Sequence, residues 1–333
     1  MKYRLEKIEP AIEKMYKINI KAKKNEQILV INDYLEKENY RKFDNRKLIE
    51  ITERALIARK IAEIGNKLNY NVKLNLYPVT LGEPPNYIAD AMKESDVVIA
   101  PTTYSISHTK ATKETVENKG RVVSMPSVTF NMFLPRGSIS ADYEEVAKIT
   151  KKICDMGENS KYATIIAPRT KLSFEIGRKW LNDDGIFELG EFGNLPAGES
   201  ATAPTEGMTE GYCTIPIGWG SKNLTSNMKV EIKHGHIASI KGGGEKGDEI
   251  RKAINNDSRR VIAEFAVGGN KNARNKYKTL EAEKMLGTAH IAFGDNTVLG
   301  GNNRSNIHVD LVIPDVTVYL DETMILKKGK LLI

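Results

Sequence analysis

The segment "GGNNRSNIHVDLVIPD", residues 300–315, contains the strand pattern around which the second half of the fold is organised. From Ile307 to Ile313 apolar side chains recur at every second position, and His308 and Asp310 occupy two of the positions between them. Side chains of a strand point alternately to its two faces. The pattern therefore predicts a strand with an apolar face towards a core and a polar face that carries His308 and Asp310. Such a pair is either a surface pair or part of a site.

Polar residues interrupt two further apolar segments of the same half of the chain. Glu264 lies in "VIAEFAVGG", and His290 lies in "TAHIAFG". Burying an unpaired carboxylate costs several kcal/mol, so Glu264 requires a cation or a hydrogen-bond donor. Two more carboxylates of this half of the chain are candidate ligands. Glu199 lies in the Pro/Gly turn of "NLPAGESATAP", and Glu283 lies in "LEAEKMLGTAH".

These residue types are the usual protein ligands of transition metals. Neutral imidazoles and carboxylates bind Zn, Co, Mn or Fe, and a catalytic site leaves one coordination position open. Two histidines and three or four carboxylates exceed what one catalytic zinc requires. They suit two metals about 3.5–4 Å apart, bridged by a carboxylate and a water. The alternative is that each residue is satisfied separately, a buried glutamate by a lysine and a histidine by a backbone carbonyl. A metal site requires them to converge in space.

The first half of the chain alternates helix and strand patterns. A helical pattern over 3–20 precedes the apolar strand "QILVIND" at 27–33, and a long helical pattern leads to the strand "NVKLNLY" at 71–77. This alternation predicts an α/β fold, an open and mostly parallel sheet with helices on both faces. Strands are short and turns frequent in the second half. We therefore expect an α/β domain over 1–158 and a β-rich metal-binding domain over 159–333.

Composition and motifs exclude several function classes. The net charge of +7 comes from scattered lysines near acidic residues, so no nucleic-acid partner is expected. No apolar run approaches the roughly 18 residues of a membrane span. The two cysteines, Cys154 and Cys213, give no disulfide framework and fit a reducing cytoplasm. Phosphate-binding glycine motifs are absent, and "GGGEKGDE" at 242–249 is predicted to be a loop.

One histidine of the first half is a candidate for binding substrate. His108, in "SISHTKA", is expected in the first turn of a helix at the carboxyl end of a parallel strand. Ligands of open α/β sheets bind at that edge of the sheet. His234 and His236 flank the Gly235 turn of "VEIKHGHIASI" and are interpreted as exposed hairpin residues.

Four motifs, in this order along the chain, resemble the thermophilic metalloaminopeptidases of the aminopeptidase S and aminopeptidase T family, which is leucyl aminopeptidase-like. The motifs are "LPAGESATAP", "AEFAVGGN", "GTAHIAFGDN" and "NIHVDLVI". The resemblance implies an α/β first domain and a β-rich, metal-bearing second domain, usually in a homodimer. It also implies a centre of two divalent metal ions (Zn, Co or Mn), whose ligands here would be Glu199, Glu264, Glu283, His290, His308 and Asp310.

The activity implied by the resemblance is that of a cytoplasmic, metal-dependent aminopeptidase acting on small peptides or amino-acid-like substrates. The metals would activate a bridging water, and Glu264 or Glu283 would carry the proton to the leaving amine. One position departs from the family, because Thr297 stands where the aminopeptidases have a tyrosine thought to stabilise the transition state. We expect Thr297 and His108 to contact the substrate, and the threonine places the peptidase chemistry in question.

Two alternatives remain open at this stage. Relatives of this fold include ring-cleaving dihydroxypyridine dioxygenases, which hold a single iron by two histidines and one aspartate. His290, His308 and Asp310 would supply that 2-His-1-carboxylate set, with positions open for O₂ and substrate. The presence of Glu199 and Glu264 favours the two-metal hypothesis, since a second metal would explain both. The other alternative is a relative that binds metal or a small molecule without catalysis.

Overall fold

The computed structural model describes residues 5–41 and 43–333. The helix predicted over 3–20 begins outside the described residues. From residue 5 the segment is helical, with a 3₁₀ turn at Leu5–Ile8 and a π-helical turn at Met15–Asn19 on either side of one α-helix. The α-helices of the described residues are, in chain order, α1 Glu9–Lys14, α2 Asn45–Lys67, α3 Asn86–Lys93, α4 Lys110–Glu117, α5 Phe130–Phe133, α6 Tyr143–Glu158, α7 Gly244–Ala253 and α8 Thr279–Ala282.

The strands confirm a parallel sheet in the first part of the chain and antiparallel strands in the second. In chain order they are β1 Gln27–Tyr34, β2 Asn71–Pro78, β3 Val97–Ala100, β4 Arg121–Ser124, β5 Tyr162–Ala167, β6 Thr170–Glu175, β7 Leu181–Asp183, β8 Phe192–Asn194, β9 Glu199–Thr202, β10 Glu210–Ile215, β11 Met228–Lys233, β12 His236–Gly242, β13 Ile262–Gly268, β14 Ala289–Gly294, β15 His308–Ile313, β16 Thr317–Leu320, β17 Thr323–Lys327 and β18 Lys330–Leu331. The predicted class, α/β with a β-rich second part, is therefore correct.

The chain forms two compact units. The first comprises Met1–Tyr143 and Gly185–Ala197 and holds a five-stranded parallel sheet of order β2-β1-β3-β4-β8. Strands β3 and β4 are buried along their whole length, as expected of parallel strands covered on both faces. The second unit comprises Glu144–Asp184 and Gly198–Ile333, where the sequence predicted a single boundary after residue 158. The difference arises because β8 pairs with β4 and so returns 185–197 to the first unit.

Two antiparallel sheets make up the second unit. An eight-stranded sheet has the order β12-β11-β10-β6-β5-β16-β17-β18, and a five-stranded sheet has the order β15-β14-β13-β9-β7. Apolar side chains of both sheets share one buried core, in which the ring of Phe174 stacks on that of Phe265 with centroids 4.9 Å apart. The predicted hairpin at Gly235 is confirmed, with positive φ angles at both His234 and Gly235 as a two-residue turn requires.

One local expectation is wrong. The glycine-rich segment 242–249 was predicted as a loop, but helix α7 begins at Gly244, the last of three consecutive glycines with positive φ. Glycine alone adopts such angles without strain, so the turn into the helix uses the residues that suggested a loop. Among the described residues, no helix has the length and apolar character needed to cross a membrane.

Candidate metal centre

Four neighbouring strands of the five-stranded sheet bring the predicted ligands to one face. In the antiparallel register, Glu264 of β13 lies opposite Ala292 of β14, which lies opposite Asp310 of β15. Residues directly opposite each other, and residues two apart on one strand, share a face of the sheet. By the same alternation, the remaining predicted strand residues lie on this face too. They are Glu199 on β9, His290 on β14 and His308 on β15.

The other face of these strands explains why the site faces away from the core. Phe265, Ile291, Phe293 and Leu311 point into the apolar core of the second unit. Burial of such side chains stabilises a strand by roughly 1.5–3 kcal/mol each. A one-residue slip in register would exchange the two faces, so the same apolar residues that build the core also hold the polar residues together.

A glycine lets the segment with Glu283 lie directly on this sheet. A Cβ atom at Gly268 would lie 2.1 Å from the backbone oxygen of Met285, which leaves no room for a larger residue. The backbone of Asn270 and that of Lys284 are joined by a hydrogen bond of 2.8 Å. Glu283 and Lys284, which follow helix α8, are thereby held beside the strand ligands, and both are buried.

Glu264 lies between the two imidazoles. Its Oε2 is 3.0 Å from Nε2 of His308, and its Oε1 is 3.3 Å from Nε2 of His290. Asp310 Oδ1 is 3.4 Å from the His308 nitrogen, and Glu199 Oε2 is 3.4 Å from the His290 nitrogen. The cluster therefore has two parts joined by one carboxylate.

Three overlapping sets of donors have the spacing of metal ligands, with all donor atoms within 4.8 Å of one another. They are Glu199 with Glu264 and His290, Glu264 with His308 and Asp310, and Glu283 with His290 and Asp310. All six predicted ligands belong to at least one set. The set of His290, His308 and Asp310 is not among the three, although Asp310 is close to both histidines.

The donor chemistry fits a metal-binding site. Among the described residues, the buried Glu199 Oε2 and His290 Nδ1 atoms make no hydrogen bond. Buried polar atoms are nearly always hydrogen-bonded, and a bound cation supplies the missing partner of a carboxylate oxygen. Imidazole nitrogens and carboxylate oxygens are ligands of first-row transition metals.

The second ring nitrogen of His308 is held by the backbone. Nδ1–H donates to the carbonyl oxygen of Asp295 at 2.7 Å, so Nε2 is the ring nitrogen that faces Glu264 and Asp310. The Asp295 carboxylate in turn accepts hydrogen bonds from the Thr297 backbone and hydroxyl and from the Ser305 backbone. Such hydrogen bonds to the non-ligating nitrogen orient histidines at metal sites.

In the metal-free cluster, protons on the two histidines offset the negative charge of the neighbouring carboxylates. Burial opposes charge on His290, but the hydrogen bond with Glu264 and the charge of Glu199 outweigh it and raise the pKa of His290 to about 9. Burial also opposes the charge of His308, yet Asp310 and Glu264 raise its pKa well above the ordinary value. The two histidines overcome the effect of burial on Glu264 and hold its pKa far below the usual range. A metal must displace these protons to bind.

Glu283 behaves in the opposite way. Burial raises its pKa well above the ordinary value, and the nearby charges of Asp310 and Glu199 add to the effect against the attraction of Lys284. Burial likewise raises the pKa of Glu199. In this cluster the neighbouring histidines therefore favour the ionised form of Glu264, whereas burial favours the neutral form of Glu283.

The structure shows three participants that the sequence analysis missed. Lys284 contacts the carboxylates of Asp183 and Glu199, and the carbonyl of Asp295 contacts His308. Lys284 follows a predicted ligand directly, and this adjacency was the signal available. The two remaining predicted residues are not members of the donor sets. Thr297 is exposed and donates its hydroxyl to Asp295, and His108 lies in the first unit, exposed, just before helix α4.

Fold and site together define a two-unit α/β protein whose β-rich unit carries a histidine–carboxylate cluster with the chemistry of a metal centre. The sequence places it more narrowly. The chain belongs to the NicX family, 2,5-dihydroxypyridine 5,6-dioxygenase, because that family's model matches residues 20–333.

Individual relatives agree with the family. A 2,5-dihydroxypyridine 5,6-dioxygenase from Pseudomonas putida is 26% identical over 157 residues, and the match spans 43% of this chain and 45% of the relative. The chain therefore covers about half the length of that curated relative. A solved structure of the Pseudomonas putida dioxygenase superposes with a TM-score of 0.77 at 15% identity, over 99% of this chain and 98% of the other. Wild-type AmpT from Thermus thermophilus superposes with a TM-score of 0.65 at 14% identity, over 98% and 99%.

These comparisons correct the expected activity. The resemblance to aminopeptidase T holds for the fold, which the chain shares with AmpT. The prediction of a hydrolase, a metallo-exopeptidase releasing N-terminal residues, is wrong, because the family is that of a dioxygenase. The motifs misled because they describe the strands that build the cluster, and AmpT and the dioxygenase share the fold to which these strands belong.

Proposed function

We propose that the chain is a ring-cleaving dioxygenase that uses one iron ion and inserts both atoms of O₂ into a dihydroxylated pyridine ring. Family membership supports the reaction class. The observation that carries the proposal is the half-buried pair of His308 and Asp310, joined by Glu264 to the fully buried His290. Two imidazoles and a carboxylate are the donors of non-haem iron(II) oxygenases, which keep positions open for O₂ and substrate.

Asp310 and His308 would hold the iron, with His290 or Glu264 completing the set. Asp310 belongs to one donor set with His308 and to another with His290, so it stands between both imidazoles. When bound, iron(II) supplies the electron-transfer chemistry with O₂ that protein side chains lack. The side chains of His308 and Asp310 are 29% and 22% exposed, whereas that of His290 is 1% exposed. Substrate would therefore approach from the side of His308.

The other carboxylates would manage protons and orientation. Glu264, ionised between the two histidines, keeps both rings in place. Burial raises the pKa of Glu283, and a neutral carboxyl at this position would donate a hydrogen bond to an anionic oxygen such as a deprotonated ring hydroxyl. The carbonyl of Asp295 keeps the proton of His308 on Nδ1.

The test is oxygen consumption by the reconstituted protein. Metal-free protein is loaded with Fe²⁺ under anaerobic conditions and mixed with 2,5-dihydroxypyridine and ¹⁸O₂. We expect one O₂ consumed for each ring opened, and mass spectrometry of the product should show both labelled atoms. Variant His308→Ala should lose this activity. Variant His234→Ala, which removes a highly exposed histidine outside the donor sets, should retain it.

The proposal fails if protein that has bound Fe²⁺ consumes no O₂ with any of a panel of dihydroxylated pyridines. It also fails if the product gains only one labelled atom, since that result indicates a monooxygenase. Protein loaded with Zn²⁺ is the matched control, because Zn²⁺ has no redox chemistry and should give no oxygen uptake.

A further inference from the structure

The ammonium group of Lys284 lies inside the cluster, on its buried side. Nζ donates to Glu199 Oε1 at 2.5 Å and to Asp183 Oδ2 at 2.8 Å, and Glu283 Oε1 is 3.5 Å away. The lysine side chain is 1% exposed. An ammonium has three N–H donors and no acceptor, and two of these donors are used on Glu199 and Asp183. The group is a resident positive charge among acidic side chains.

Glu199 also belongs to a potential metal-binding set, with Glu264 and His290. One of its oxygens is held by Lys284, and the other lies 3.4 Å from His290 Nε2. A metal ion on that second oxygen would be separated from the ammonium by a single carboxylate. Two positive charges at that separation repel strongly in a low-dielectric interior.

The donor set of Glu264, His308 and Asp310 has no such resident cation. Among the described residues, the ion-pair partners of Glu264 and Asp310 are the two histidines, which are themselves candidate metal ligands. A metal that binds there gains two carboxylates and an imidazole without meeting a fixed positive charge. The two halves of the cluster therefore differ in whether a cation is already supplied.

We propose that Lys284 takes the place of a second metal ion and limits the centre to one. The inference deepens the proposed function and rests on the same cluster holding a metal. One ion would bind on the side of His308 and Asp310, while the ammonium stays paired with Glu199 and Asp183. Where an aminopeptidase-like centre would use two metals, this chain uses one metal and one lysine.

The test is the number of metal ions bound per chain, which does not depend on activity. Metal-free wild-type protein and variant Lys284→Met are titrated with Co²⁺, desalted and measured by elemental mass spectrometry and by visible absorption of the bound ion. We expect one Co²⁺ in the wild type and two in Lys284→Met. Lys60→Met is the matched control, because Lys60 is also a buried lysine, 2.6 Å from Glu9 in the first unit. It should bind one.

Two Co²⁺ ions in the wild type would overturn the inference, and so would one in a folded Lys284→Met variant. Should that variant fail to fold, Lys284→Met combined with Asp183→Asn removes one carboxylate together with the ammonium, and the same count of two is expected. If neither variant folds, two Co²⁺ ions bound per wild-type chain would still overturn the inference. If the wild type binds one Co²⁺ and Lys284→Met binds two, but the iron-loaded protein cleaves no ring, this inference stands and the proposed function fails.

Discussion

The candidate metal centre has an open half and a closed half built on the same face of one sheet. The open half is Glu264, His308 and Asp310, with His308 and Asp310 half-buried. The closed half is Glu199, Glu283 and Lys284, in which the lysine is enclosed among carboxylates. Both halves concentrate acidic groups, but the closed half contains its own cation and the open half shares protons with histidine.

The lysine in the closed half indicates how a single fold can set the number of metal ions in its centre. A metal that binds the open half replaces protons, which leave readily for solvent, whereas one that binds the closed half has to displace or tolerate a fixed ammonium. The closed half depends on the turn after helix α8, which Gly268 allows to lie against the sheet. The number of metal ions that we propose for the centre therefore depends on a turn that contributes no strand to the sheet.

Removing a ligand of the open half should have the largest effect. Variant His308→Ala deletes an imidazole that lies 3.0 Å from Glu264 Oε2, and the remaining carboxylates lose a neutral donor. We expect Co²⁺ affinity to fall by more than about 100-fold, since even residues that only support a ligand change affinity by 10–100-fold. Isothermal titration of metal-free protein measures this change.

A substitution in the closed half tests whether the two halves contribute unequally to metal binding. Glu199→Gln keeps the shape of the side chain but removes a carboxylate that Lys284 already neutralises. It should weaken Co²⁺ binding far less than His308→Ala does. Equal losses for the two variants would show that one metal uses both halves, and would remove the distinction drawn between them.

The metal-free cluster should also respond to pH. The pKa of His290 is raised from 6.5 to about 9, so its protonated form stabilises the folded state. That contribution, about 3 kcal/mol from the size of the shift, is fully present below pH 6.5 and is lost as the pH rises through 9. Urea unfolding of metal-free protein at pH 6.5 and above pH 9 measures it.

Variant His290→Gln is the control for this pH effect, because glutamine does not titrate. The wild type should lose more stability than this variant between the two pH values. The Co²⁺ affinity of the wild type should rise over the same range, because protons no longer compete with the metal for His290. If wild type and variant lose stability in parallel, protons on His290 do not hold the metal-free cluster together.

Much of the site was predictable because strand periodicity is a strong signal. Polar residues at positions such as Glu264 and His290 interrupt otherwise apolar strands, and burial forces them to find partners. The register that unites them follows from the apolar residues between them. The return of 185–197 to the first unit was not predictable, since the three-residue strand β8 carries no comparable pattern.

Lys284 and Asp183 were missed for a different reason. A single lysine next to a glutamate looks like a surface pair in sequence, and only the three-dimensional structure shows that its ammonium is enclosed. Activity was mispredicted because strand motifs report a scaffold, whereas the reaction depends on which cations the scaffold holds. The predicted contact of Thr297 with the substrate stays a prediction.

The smallest expected effect concerns the support of the open half by residue 295. The Asp295 carboxylate binds the backbone N–H groups of Thr297 and Ser305, and its own carbonyl accepts the Nδ1–H of His308. Variant Asp295→Ala should loosen this loop and weaken Co²⁺ binding by about 10-fold, the lower end of the range for groups that orient a ligand. Titration with Co²⁺ measures the loss.

Asp321 provides a matched control for that variant. Its carboxylate also accepts backbone N–H bonds, from Lys161 and Tyr162, at a site of the same unit away from the cluster. Asp321→Ala should lower the thermal unfolding temperature comparably and leave Co²⁺ affinity unchanged. Equal affinity losses in the two variants would mean that Asp295 acts only through general stability. A loss confined to Asp295→Ala would show that the open half requires a correctly oriented imidazole, a requirement that the closed half does not share, because an ammonium has no ring plane to orient.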